Sequence, residues 1–183
     1  MIRYPTRSDM LRIAATKSAT EQASLRKSAE SRSPSGATFL SHSSKDQDLL
    51  PAAITLLENH GATVYVDKKD PALPPYTSRA TAAGLKNRIQ QSRKFVLLAS
   101  QNSKDSRWVP WELGLADGYK GMGRVAILPT VEDQSEKSWA QWEYLGLYDR
   151  IVWGDHQQYS EKIWMVLDEE DNTATELRAW LRA

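Results

Sequence analysis

The 183-residue chain contains no cysteine. That excludes disulfides and thiolate-held metal sites, and it fits a reducing compartment. Histidine is almost as scarce: His42, His60 and His156 are too scattered to suggest a metal cluster. Neither sign of charge dominates, with 24 Lys and Arg against 23 Asp and Glu and a net charge of +1. A nucleic-acid partner is not expected of a chain without a basic face. No apolar run approaches the ~20 residues of a membrane span, and no signal-peptide core follows Met1. These absences predict a cytoplasmic protein with no membrane partner.

Phosphate-binding glycine motifs are missing too. No G-x-G-x-x-G follows the first apolar run, and Gly121-Met-Gly123 comes after a helical segment, which argues against a Rossmann dehydrogenase. There is no G-x-x-x-x-G-K-[ST], so a P-loop NTPase is excluded. A phosphoacceptor Asp should end the third strand of a receiver domain, where this chain has Ala99-Ser100-Gln101.

What remains suits one domain with a sizeable core and an extension. Residues 1–35 hold seven Arg and Lys against three Asp and Glu, a net +4 that leaves −3 for the rest. Met10, Leu11, Ile13, Ala14, Ala15 and Leu25 form a weak helical stripe. A docking helix, a flexible tail and an organellar transit peptide all compete here. Asp9, Glu21 and Glu30 count against the transit peptide, which should be poor in acids. The reading adopted is a polar, helical and flexible extension over 1–35, closed by the Ser-Arg-Ser-Pro-Ser-Gly linker at 31–36. The domain then covers 36–183.

Within it, strand-like and helix-like segments alternate. Strands are expected at 37–41, 62–66, 94–99, 124–128 and 150–153. Ser44-Lys-Asp-Gln47 matches a capping box opening a helix to about His60, with Gly61 as its C-cap. Further helices are expected at 77–93, 106–119 and 173–181, with partly helical structure at 136–148. A loop stiffened by Pro71, Pro74 and Pro75 spans 68–76. Apolar strands separated by helices predict a flavodoxin-like three-layer α/β sandwich on a five-stranded parallel sheet, order 2-1-3-4-5.

Ser106-Arg-Trp-Val-Pro-Trp-Glu112 follows the third strand. Pro110 belongs in a first helical turn, with Ser106 as N-cap. Trp108 and Glu112 then share one helix face, at the sheet edge where such folds bind ligands. An indole beside a carboxylate suits a flat cationic ring such as nicotinamide. Core packing for the tryptophans and a helix-dipole acid at 112 is the competing reading. Ser41, His42 and Asp46 supply triad residue types, but crowding in one loop favours turn and capping roles.

The order Phe39-Leu40, Ser41-His42-Ser43, Val64-Tyr-Val-Asp67, a Pro-rich loop and Trp108-x-x-x-Glu112 resembles a Toll/interleukin-1 receptor (TIR) domain, most closely the stand-alone bacterial members of antiphage defence. The likeness spans about 37–153. It implies cleavage of NAD+ between nicotinamide and ribose, to ADP-ribose or a cyclised variant, with NAD+ as substrate and no cofactor. The family's catalytic glutamate falls on Glu112, with Ser41, His42, Asp67, Tyr76 and Trp108 as substrate-binding candidates. It also implies homo-oligomers through TIR–TIR contacts and an activating or effector partner protein. Two features depart from relatives: this chain has Val109-Pro110-Trp111 where many relatives have Cys or another small residue near the glutamate, and the 68–76 loop lacks the Gly-Asp common among them. A non-catalytic adaptor working by homotypic association, and transfer to nucleosides, are the alternatives.

Overall fold

A computed structural model describes residues 1–67, 78–106, 108–135 and 143–183. Seven strands form one sheet in the order β2-β1-β3-β4-β5-β6-β7. β1 (Thr38–Ser41), β2 (Val64–Tyr65), β3 (Lys94–Ala99), β4 (Val125–Pro129) and β5 (Asp149–Gly154) are parallel to their neighbours in the expected order. The chain departs from five strands at one edge. There β6 (Ile163–Asp168) and β7 (Thr173–Glu176) add antiparallel.

The sheet separates two cores because neighbouring residues of a strand face opposite ways. Leu40, Val96, Leu98, Ala126 and Leu128 face α1 (Arg7–Ala14), α2 (Ala19–Ser31), α3 (Leu50–Asn59) and α6 (Leu177–Arg182). Phe39, Phe95, Leu97 and Ile127 face α4 (Arg79–Gln91) and α5 (Val109–Lys120). Burial on both faces is why β1, β3 and β4 read as unbroken apolar runs.

Three local expectations change. The Ser44/Gln47 capping box does not form: Ser43 Oγ caps a 3-10 turn over Ser44–Asp46, and α3 starts later, with Pro51 in its first turn. The helix expected from 173 begins at Leu177, because Thr173–Glu176 pair with β6 instead. Thr-Ala-Thr is poor helix material and good strand material when an open edge lies beside it. Residues 1–35 form two helices, each opened by a capping box, Thr6 with Asp9 and Ser18 with Glu21. Asp9 and Glu21, two of the three acids that argued against a transit peptide, are thus helix caps.

Those helices pack on the domain. Met10 and Ala29 are fully buried against the α3 face. The linker is tied down as well: Arg32 pairs with Glu58 and donates to Val64 O at 3.1 Å. Gly36 takes φ +72°, a conformation L side chains rarely adopt.

Candidate functional site

Parallel strands deliver their loops to one edge of the sheet, and the candidate residues gather there. β1 ends at Ser41, paired in register with Leu97 of the adjacent β3. The chain leaving β3 makes a 3-10 turn over Gln101–Asp105 and then enters α5. Ser106 Oγ accepts the Val109 N–H at 3.3 Å, but the helix starts two residues later than a Ser106 cap would give, with Trp108 at the cap and Pro110 inside the first turn. Glu112 closes that turn, its N–H donating to Trp108 O at 2.8 Å.

The Glu112 side chain is 1% exposed and the Ser41 side chain equally buried. Ser41 Oγ donates a hydrogen bond to Glu112 Oε2 across 71 residues of sequence. His42 is also buried, with Nε2 3.3 Å from Gln47 Nε2. Trp108 is half-buried and meets Trp111 edge-on, ring centroids 5.4 Å apart at 76°. Lys86 Nζ lies 5.9 Å from the Trp111 ring. The positive end of α5 further favours a carboxylate at Glu112.

Asp67 follows β2, and its Oδ1 accepts from Tyr65 Oη at 2.8 Å and from Arg88 Nη1 at 2.9 Å. Burial first, and then the Asp67 charge, push the Tyr65 phenol up, so it remains a donor. Tyr76 and the 68–76 loop lie outside the described residues. The structure therefore joins Ser41 to Glu112 directly, sets His42 and Trp108 beside them in sequence, and gives Asp67 partners of its own.

Of the triad residue types, Ser41 donates to Glu112 and the His42 ring meets Gln47. Asp46 instead accepts hydrogen bonds from Ser100 Oγ and Asn102 Nδ2, both at 2.7 Å. Sequence reading missed this cluster. Its one signal is that Ser100 and Asn102 follow an apolar strand, where polar side chains commonly hold loops. A cavity of about 430 Å³, lined by Arg3, Tyr4, Trp153 and Trp164 among others, contains none of these residues.

The chain belongs to the TIR domain family, whose sequence model matches residues 38–167. It is 35% identical over 147 residues to "Probable 3' cyclic ADP-D-ribose synthase ThsB'" of Bacillus cereus (strain MSX-D12), covering 79% of this chain and 74% of that protein. It is also 30% identical over 101 residues to "Putative cyclic ADP-D-ribose synthase TIR2" of Cytobacillus dafuensis, covering 54% of this chain and 26% of that protein.

Proposed function

We propose that this TIR protein cleaves NAD+ at the nicotinamide–ribose bond, releasing ADP-ribose or a cyclic ADP-ribose, as a signal-generating or NAD-depleting enzyme of bacterial immunity. The observation that carries the reading is the buried Ser41–Glu112 hydrogen bond at the ligand-binding edge of the sheet. The names of the two relatives, both cyclic ADP-D-ribose synthases, support it.

One carboxylate is chemically sufficient. Ordinary glycosidases need an acid as well, because an alkoxide leaves poorly. Nicotinamide departs from its pyridinium as a neutral molecule, so no proton donor is required. The ribosyl cation left behind needs opposing charge, which a carboxylate at Glu112 supplies. The same group orients the incoming nucleophile, water for hydrolysis or a group of the same dinucleotide for cyclisation. Ser41 holds one carboxylate oxygen in place, and Trp108 offers a ring face for stacking.

A nearly inaccessible Glu112 also bears on regulation. NAD+ reaches it only after the surroundings open, and contacts between copies are the proposed means. The test is incubation of purified protein with NAD+ over a range of protein concentrations, with chromatography of the products. Nicotinamide with linear or cyclic ADP-ribose supports the reading. Intact NAD+ at every concentration favours the non-catalytic adaptor.

A further inference from the structure

Asp46 has no part in the chemistry above, yet its side chain is 0% exposed. A buried carboxylate is tolerated only where its oxygens are hydrogen-bonded. Both are: Oδ2 accepts from Ser100 Oγ and Oδ1 from Asn102 Nδ2, each at 2.7 Å. On its own turn Asp46 is held by the main chain, its N–H donating to Ser43 O at 3.0 Å and its carbonyl accepting from Leu49 N at 3.1 Å. It is thus fixed at one end and reaches across to another loop at the other.

The two loops it joins are the two walls of the proposed site. Upstream of Asp46 lies the turn with Ser41 and His42, and its neighbour Gln47 reaches back to the His42 ring. Ser100 and Asn102 open the connection that leads into Trp108 and Glu112. Ser100 is locked in turn, because its N–H donates to Ser103 Oγ at 3.1 Å and Ser103 Oγ donates to Leu98 O at 3.2 Å. One carboxylate therefore ties the loop after β1 to the frame of β3.

We propose that Asp46 is a positioning residue, whose carboxylate clips the Ser41–His42 turn to the β3–α5 connection and so sets the Ser41–Glu112 hydrogen bond. Its kinetic consequence rests on the NAD+-cleaving reading above. Loops are mobile unless something anchors them, and a displacement of about 1 Å at a reacting centre costs on the order of 100-fold in rate.

Asn102→Asp tests the clip. It keeps the shape of the side chain but sets a carboxylate against the Asp46 carboxylate, and like charges at hydrogen-bond distance repel. Combining it with Asp46→Asn restores an amide–carboxylate hydrogen bond with the roles exchanged. Parent, single variant and double variant are compared by the amide NMR signals of Ser41, His42 and Glu112, and by NAD+ turnover per folded molecule. The expected result is that Asn102→Asp moves those signals and lowers kcat by on the order of tenfold or more, with KM changed less. The double variant should restore both. Unmoved signals, moved signals with an unchanged kcat, or a loss the double variant does not repair would overturn the proposal. Should Asn102→Asp fail to fold, Asn102→Ala removes the one donor and is read the same way. A parent that leaves NAD+ intact defeats the activity reading alone, and the NMR comparison then decides the clip.

Discussion

A glutamate is a poor choice for the place Glu112 occupies, if packing were the only demand. Glu112 is 1% exposed, on a helix whose Val109, Leu113 and Ala116 are buried in the core. Desolvating a carboxylate is expensive. The hydrogen bond from Ser41 offsets about 1.5–3 kcal/mol of that cost, and the helix end about 0.3–1 kcal/mol. An apolar residue of similar volume would fill the space as well or better. The proposed NAD+ cleavage is what gives that charge a role. Trp108 is the next residue to separate the two kinds of role. It is half-buried, packed against the edge of the core and edge-on to Trp111. Trp108→Ala should therefore lose less than the ~3–5 kcal/mol of a core aromatic truncation, while NAD+ turnover per folded molecule falls. Urea denaturation beside kinetics checks it, and a full core-sized loss with unchanged turnover would return Trp108 to a packing role.

Elements divide by how local their cause is. β3 is legible to the residue because six consecutive buried positions leave no competing pattern. Gly61 ends α3 as expected, at φ +92°. The Ser44/Gln47 spacing misleads because a capping box is only a local signal. Here Gln47 has a better partner in His42, and the next segment turns away to bury Asp46. The edge strands were illegible for a related reason, since β7 exists only because β6 offers it an open edge. At the site, the Trp108–Glu112 spacing shows the helix face. The Ser41 partner belongs to a strand 71 residues away, and local pattern cannot reach that far. The amino-terminal helices also make a prediction. Met10 is fully buried between α1 and the α3 face, so Met10→Ala should destabilise the whole protein by about 2–5 kcal/mol. Chemical denaturation measures this. A change near zero would mean that α1 is dispensable to the fold.

Across the molecule, the partial or full burial of two lysines bears on the pH dependence of stability. Burial pushes Lys94 down to about 8, where its ammonium lies 4.4 Å over the Trp180 ring, and burial pushes Lys120 down to about 8 as well. Both values lie below those of the unfolded chain. The penalty is therefore complete below pH 8 and is relieved as pH rises through roughly 8 to 10, because the unfolded state then binds more protons. Raising the pH from about 7.5 to about 9.5 should accordingly help the parent more than Lys94→Met, which lacks one such group. Equal changes in Tm for the two proteins would contradict this. Assembly belongs to the same scale. If contacts between copies open the way to Glu112, turnover per molecule should rise steeply with protein concentration, followed together with light scattering. A constant rate from a strictly monomeric sample would mean a self-sufficient site. Beneath all of this lies the role of one carboxylate, tested most directly by NAD+ consumption in parent and Glu112→Gln at equal folded concentration. Nicotinamide release is expected from the parent and none above background from Glu112→Gln, with the same thermal transition. A Glu112→Gln protein that turned over NAD+ like the parent would contradict it.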